Sequence, residues 1–148
     1  MYKHILVPTD GSRLSARAIR AACALAQTCG AKITGVYVIP HYVPPIYAEG
    51  MIYVADLGPQ RHKELMAKAA RKALAAVSAE ARRAGVACAT AAPLAAQPWE
   101  GILKTARARR CDLIVMASHG RRGIAGLLLG SETTKVLTHS KTPVLVCR

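Results

Sequence analysis

The part of the sequence best suited to binding chemistry is a glycine-rich segment, SHGRRGIAGLLLGS, at residues 118–131. Glycine tolerates positive φ and lets a ligand approach the backbone closely, so that consecutive N–H groups can surround phosphate oxygens. Ser131 stands at the expected start of a helix, where free N–H groups, the helix dipole and a hydroxyl also attract an anion. The segment therefore predicts a phosphate site, and a plain surface turn is the alternative.

A second polar segment, PTDGS at residues 8–12, follows a short apolar run. The chain has no GxxxxGK[ST] motif, and this first turn lacks the GxGxxG pattern of dinucleotide-binding proteins. Nucleotide hydrolysis would require a positioned base and a carboxylate for a metal ion. The sequence supports catalysis only weakly: Asp112 is expected at the far end of its strand, Glu132 suits the first turn of a helix, and His119 suits a hydrogen-bond donor or spacer. Slow hydrolysis or self-phosphorylation at Ser131 stays open.

Strands alternate with helices along the chain. Apolar runs predict strands at 4–8, 31–39, 86–92, 112–116 and 141–147, and helical periodicity predicts helices at 13–28, 60–84, 97–106 and 132–139. A loop rich in Pro and Tyr at 41–59 is either a lid or a plain excursion. This alternation predicts a parallel sheet covered by helices on both faces. Ligands of such sheets bind beyond the carboxyl ends of the strands, here at 8–12, 38–41 and 117–131.

Composition limits the class of protein. A chain of 148 residues, of which 52% are apolar, is expected to fold as one domain, 1–148. One Trp and no Phe argue against an aromatic platform for single-stranded nucleic acid. The five cysteines form no CxxC pair and are expected to be reduced, buried thiols. Neither a secretory signal nor a membrane span is visible, so we expect a cytoplasmic protein without a membrane partner.

The charge is strongly unbalanced. There are 21 Lys and Arg against 8 Asp and Glu, which gives a net charge of +13 and predicts an anionic partner. The basic helix at 60–84 and the cluster at 107–110 leave a non-specific polyanion binder as an alternative. Sequence-specific nucleic-acid recognition is disfavoured, because no helix-turn-helix, zinc-finger or RNP signature is present.

Three motifs resemble those of the universal stress protein family and occur in the order that the family shows, so that the resemblance covers essentially the whole chain. The first strand and turn read ILVPTDGS at 5–12, and the last strand reads TPVLVCR at 142–148. Between them lies a loop of the type G-x2-G-x9-G-[ST], with nine residues separating Gly120 from Gly130. One departure is Ala117, which stands where this loop has its first glycine. A left-handed backbone there would cost Ala about 1 kcal/mol or more, whereas the preceding strand run favours an extended backbone with a small cost.

The resemblance implies a five-stranded parallel sheet in the order 3-2-1-4-5, a homodimer joined through the strand at 143–147, and a role in stress response or regulation. It also implies ATP or another adenine nucleotide in the cleft, bound with or without Mg2+. A branch of the family that does not bind ATP lacks the loop glycines, and this chain keeps Gly120, Gly130 and Ser131. A stress protein that binds no nucleotide remains the alternative.

By position, Asp10 would bind the ribose, Val38 would meet the adenine through its backbone, and Gly120, Gly130 and Ser131 would hold the phosphates. The full set of nucleotide-binding candidates is Pro8, Thr9, Asp10, Val38, Met116, Ala117, His119, Gly120, Arg121, Gly123, Gly130, Ser131, Glu132 and Thr133.

Overall fold

The computed structural model describes residues 1–44, 58–120 and 129–148. Its strands are β1 (His4–Pro8), β2 (Lys32–Val36), β3 (Ile39–Pro40), β4 (Cys88–Ala91), β5 (Leu94–Ala95), β6 (Leu113–Ala117) and β7 (Val144–Cys147). Its helices are α1 (Arg13–Cys29), α2 (Gly58–Arg83), α3 (Pro98–Ala108) and α4 (Ser131–His139). Most of the predicted loop at 41–59 lies outside the described residues.

Five strands form a parallel sheet in the order β4-β2-β1-β6-β7. Counted along the chain, these strands have the predicted order 3-2-1-4-5, so the fold class is confirmed. Ile5 and Val7 pack on one face with residues of α1 and α2, and Leu6 packs on the other face with residues of α3 and α4. Burial on both faces explains the continuous apolar runs of β1 and β6.

The predicted strand at 31–39 is in fact two strands. β2 ends at Val36, and β3 pairs with β5 in a separate two-stranded parallel sheet. The reason lies in the hydrogen bonds after Val36. Tyr37 N–H donates to Ala91 C=O at 3.0 Å and Ile39 N–H donates to Pro93 C=O at 2.8 Å, so the chain leaves β1 and follows the segment after β4.

Helix boundaries follow the capping residues closely. Ser12 precedes α1 and accepts a hydrogen bond from Ser15 N–H, and Gly30 ends the helix with a φ of 65°. α3 ends at Ala108, within the arginine-rich end that the sequence predicts, and Arg110 follows with a φ of 53°. Arg110 is the one non-glycine residue with positive φ in the described part of the chain.

The prediction that all five thiols are buried is wrong for three of them. Cys23 and Cys111 are buried, and burial raises the pKa of each thiol to about 11. Cys29 and Cys147 are half-buried, and Cys88 is exposed because β4 is an edge strand. Among the described residues, no helix is long and apolar enough to span a membrane.

Candidate functional site

The turn between β1 and α1 is held rigidly by its own side chains. Thr9 is buried, and its N–H donates to Val36 C=O at 2.9 Å. Its hydroxyl is hydrogen-bonded to Ser15 Oγ at 3.1 Å and accepts a bond from Gly11 N–H at 3.2 Å. These bonds fix the carboxyl end of β1, with Pro8 buried beside it. This is where the strand order reverses and where ligands of such sheets bind.

Asp10 brings the first turn into contact with the glycine loop. Its Oδ1 accepts a hydrogen bond from Ser12 N–H at 2.9 Å. A Cβ atom added to Gly120 would lie 2.8 Å from Asp10 Oδ2, closer than real Cβ contacts allow. A side chain at position 120 would therefore require the Asp10 carboxylate to shift. The structure thus brings the predicted ribose residue and the first predicted phosphate residue together.

The two described ends of the glycine loop are tied to each other. Ser118 N–H donates to Cys147 C=O at 2.7 Å, and Gly130 N–H donates to Ser118 C=O at 2.8 Å. A Cβ atom at Gly130 would lie 3.3 Å from Ser118 O and from His119 Cα. Gly130 has a φ of −72°, and Gly120 is not among the positive-φ glycines. Glycine is therefore favoured at these two positions because neighbouring atoms lie close to the backbone, and not because the backbone is left-handed.

Ala117 carries no left-handed strain. It is the last residue of β6 and pairs with Cys147 of β7, so its backbone is extended, as the strand run predicts. Its carbonyl accepts a bond from the buried Thr133 hydroxyl at 3.0 Å. Met116 is also buried and packs in the core beside α3 and α4. Met116 and Thr133 are thus buried next to the start of the glycine loop, and their contact with a ligand stays a prediction.

The first turn of α4 opens beside the loop. Gly130 is the N-cap residue, Ser131 is the first helical residue and is exposed, and the first helical backbone bond runs from Thr134 N–H to Gly130 C=O. The N–H groups of residues 131–133 therefore have no acceptor within the helix. Such a turn attracts an anion through these donors and through the helix dipole.

The carboxylate of Glu132 is engaged away from the loop. Its Oε2 accepts a bond from Trp99 N–H at the start of α3, at 2.9 Å, and its Oε1 lies 3.1 Å from Lys135 Nζ. Glu132 therefore caps α3 and joins it to α4. Its backbone N–H, in the first turn of α4, is the part of the residue that fits the predicted binding role.

His119 contributes an unsatisfied polar atom. Its Nδ1 is hydrogen-bonded to Ser118 Oγ at 3.2 Å, whereas its Nε2 is buried without a hydrogen-bond partner. An unmade bond of this kind costs about 1–3 kcal/mol. In the tautomer that carries the proton on Nε2, a ligand oxygen at this position would remove the cost.

Val38 has the free backbone that the adenine prediction requires. In the described part of the chain, neither its N–H nor its C=O is hydrogen-bonded, although Tyr37 and Ile39 on either side donate to Ala91 at the end of β4 and to Pro93 after it. A Cβ atom at Gly101 of α3 would lie 2.7 Å from the two Val38 methyl groups. Gly101 thus makes the space in which the Val38 side chain packs.

Two predicted binding residues, Arg121 and Gly123, lie outside the described residues. Asp112 lies at the opposite edge of the sheet, where its carboxylate accepts bonds from the N–H groups of Lys3 and His4. Within the described residues, no group of three or more His, Cys, Asp or Glu side chains has an arrangement that holds a metal ion.

The sequence reasoning missed two positioning residues, Ser118 and Gly101. Ser118 is buried and ties the loop to β7 and to α4 through its backbone. Gly101 lies inside a helix, where glycine costs about 1 kcal/mol relative to Ala, so its position alone is a signal of close packing.

The fold and the cleft define a class of protein: a doubly wound α/β domain whose strand-to-helix loops meet at the reversal of strand order. The chain belongs to the universal stress protein family, which matches residues 1–148. A universal stress protein of Thermus aquaticus is 33% identical over 152 residues, covering 100% of both chains.

Solved structures of the family show the same architecture. The universal stress protein UspA from Lactobacillus plantarum superposes with a TM-score of 0.80 at 25% identity, covering 99% of this chain and 98% of the other. A universal stress protein in complex with cAMP superposes with a TM-score of 0.70 at 27% identity, covering 99% of this chain and 97% of the other.

Proposed function

We propose that this protein binds an adenine nucleotide in the cleft between the β1 turn and the glycine loop, and that it acts as a nucleotide-responsive protein in stress response or regulation. The close approach of Gly120 to Asp10 carries the proposal, because it places an acceptor for ribose hydroxyls beside a residue of the glycine loop that has no side chain of its own. The relative in complex with cAMP supports the same class of ligand.

Each part of the nucleotide has a matching group. The N–H groups of residues 131–133 and the Ser131 hydroxyl donate to phosphate oxygens, and His119 Nε2 supplies a further polar contact. Asp10 binds the ribose, and the unpaired backbone of Val38 binds the adenine edge. The N–H of Gly130 already donates to Ser118 C=O, so Gly130 helps binding by leaving room beside the loop and not by donating to the phosphates. We include Arg121 and Gly123 as further phosphate contacts, as the family resemblance implies.

The arrangement favours binding over catalysis. Asp10 is assigned to the ribose, and the Glu132 carboxylate is held by Trp99 and Lys135, so neither acid is placed as a general base at the phosphates. We therefore propose ATP or a related adenine nucleotide as a regulatory ligand. Mg2+ would accompany the phosphates by neutralising their charge.

We also propose a homodimer in the cytoplasm. Among the described residues β7 has a strand partner on one side only, and Leu145 on it is 44% exposed. Such an edge pairs readily with a second copy unless something covers it. The five free thiols suit a reducing compartment.

The test is a nucleotide titration followed by thermal unfolding and by the fluorescence of Trp99, the one tryptophan of the chain. Trp99 is bonded to Glu132 and stacks on His139 with ring centroids 4.7 Å apart, so its fluorescence reports on both ends of α4. At a ligand concentration of about 100 times Kd, binding stabilises the protein by about 2.7 kcal/mol. Titrations with ATP, ADP, AMP and cAMP compare the affinities of these ligands. A titration with GTP tests whether the adenine base is required.

Gly120→Ala is the sharpest variant, because its Cβ displaces the Asp10 carboxylate while the fold stays intact. We expect adenine-nucleotide affinity to fall by about tenfold or more. Ser131→Ala should weaken binding less, and Ser140→Ala at the other end of α4 is its matched control. Unchanged affinity in Gly120→Ala, or the absence of any ligand-dependent shift at millimolar nucleotide, would overturn the proposal.

A further inference from the structure

A second concave site lies at the amino-terminal edge of the sheet, opposite the nucleotide cleft. It has a volume of about 400 Å³ and lies where β1, β2 and β4 begin and α3 ends. Its polar lining residues are His4, Lys32, Thr34, Arg109 and Arg110. We propose that this basic pocket binds a small organic phosphate, independently of the nucleotide cleft.

The floor of the basic pocket is a buried polar pair. His4 is 8% exposed and Thr34 is 1% exposed, and His4 Nε2 is hydrogen-bonded to Thr34 Oγ1 at 2.8 Å. The backbone of Arg109, just after α3, lies near the imidazole and favours its protonated form, which opposes the lowering of the His4 pKa by burial and by Lys32. Two neighbouring strands, β1 and β2, are thus joined by one side-chain pair. The floor is therefore fixed before any ligand arrives, which lowers the entropy cost of binding.

The rim of the basic pocket carries positive charge that no lining residue neutralises. Lys32, Arg109 and Arg110 are exposed, and the described residues that line the pocket include no carboxylate. The nearby Asp112 carboxylate is already held by the N–H groups of Lys3 and His4. The carbonyl end of α3 contributes about −0.5 charge, which is small against three cations.

Arg110 gives an independent observation. Its φ of 53° is left-handed, in the position after a helix where glycine fits without strain. An arginine there costs about 1–2 kcal/mol in backbone conformation. Local strain of this kind often marks functional positions. Arg110 supplies a second guanidinium beside that of Arg109. Guanidinium groups bind phosphate oxygens with paired N–H donors.

The size and the apolar lining determine the kind of ligand. A cavity of this volume falls in the range of small-molecule sites, about 300–1,000 Å³, and is larger than a bare phosphate needs. Ala87, Ala89 and Ala108 supply an apolar wall for the organic part of the molecule. The phosphate would lie between Lys32 and the two arginines.

The experiment is an NMR titration of the 15.7 kDa protein with phenyl phosphate and, separately, inorganic phosphate, at constant ionic strength. We expect saturable shifts of the amides of Thr34, Arg109 and Arg110, with phenyl phosphate binding more tightly. The variant Arg109→Gln/Arg110→Asn should weaken binding by about tenfold or more. Asn is chosen at 110 because it tolerates left-handed backbone.

Matched controls separate the basic pocket from general charge and from the other site. Arg107→Gln with Arg82→Gln removes two exposed charges that do not line the pocket and should leave affinity unchanged. Gly120→Ala disables the nucleotide cleft and should also leave these shifts unchanged. Three results would each overturn the proposal. The amide shifts could be confined to residues 129–134, or Arg107→Gln with Arg82→Gln could lose as much affinity as the pocket variant. The shifts could also appear only when a DNA duplex replaces the small phosphates.

Discussion

At the scale of single residues, the proposed nucleotide cleft depends as much on absent side chains as on present ones. Gly120 leaves room for the Asp10 carboxylate, and Gly130 leaves room for the backbone of Ser118 and His119. Ala117, where the family loop has a glycine, lies in extended backbone and keeps its hydrogen bond with Thr133. The requirement for glycine is therefore set by neighbouring atoms at each position and not by the loop as a whole.

His4 should make the stability of the protein dependent on pH. Burial and the nearby Lys32 lower the pKa of its imidazole, while the Arg109 backbone and Asp112 oppose the shift. In the unfolded chain its pKa returns to about 6.5, so between the two values only the unfolded state binds the proton. Stability should therefore fall as pH drops below about 6.5 towards the lower folded pKa.

The measurement is urea unfolding at pH of about 7.5 and about 5.5, on either side of the unfolded pKa. His4→Gln removes the titration, so it should lose less stability than the parent chain across this step. His41→Gln, at an exposed position, is the matched control. An equal loss in His4→Gln and the parent chain would contradict the prediction.

At the scale of elements, α3 sets the position of Val38. A Cβ at Gly101 would approach the Val38 methyl groups to 2.7 Å and Ala95 Cβ to 3.3 Å. Gly101→Ala should therefore displace Val38 and cost about 1–3 kcal/mol from overpacking, partly offset by about 1 kcal/mol of helix propensity. Adenine-nucleotide affinity should fall as well, although residue 101 touches no ligand.

Urea unfolding and a nucleotide titration of Gly101→Ala measure the two effects separately. Val38→Ala in the same chain removes the methyl groups that collide and should restore part of the lost affinity. If Gly101→Ala bound nucleotide like the parent chain while losing stability, α3 would support the core without positioning the base.

How far the sequence predicts these elements depends on which interactions define them. β1 and β6 are predictable because burial on both faces demands an apolar run. The break after Val36 is not, because it depends on hydrogen bonds from Tyr37 and Ile39 to the distant Ala91 and Pro93. The predicted phosphate residues meet at one edge of the sheet, but the pairing of Asp10 with Gly120 depends on distances that spacing does not give.

At the scale of the whole molecule, the two edges of the sheet carry different chemistry. The carboxyl edge offers helix N–H groups, a hydroxyl and the buried nitrogen of His119. The amino edge offers Lys32, Arg109 and Arg110. Most of the positive charge behind the net +13 therefore lies at the amino edge and on the helix surfaces, away from the proposed nucleotide site.

This charge should also make stability depend on salt. The ion pairs in the described part of the chain are Arg83 with Glu80 and Lys135 with Glu132, so most cations repel one another without compensation. Raising NaCl shortens the screening length from about 10 Å at 0.1 M to about 3 Å at 1 M. We expect the unfolding temperature to rise by several degrees, at about 2–4 °C per kcal/mol.

Comparing sodium phosphate with NaCl at equal ionic strength separates screening from occupation of the basic pocket. Screening and the exclusion of phosphate from protein surfaces act on both chains, so Arg109→Gln/Arg110→Asn measures the rise in unfolding temperature that these two effects give without the basic pocket. In the parent chain, phosphate should add a further rise, because binding to the folded state alone stabilises it by linkage. An unfolding temperature that falls with NaCl would show that repulsion among the cations does not limit the stability of this fold.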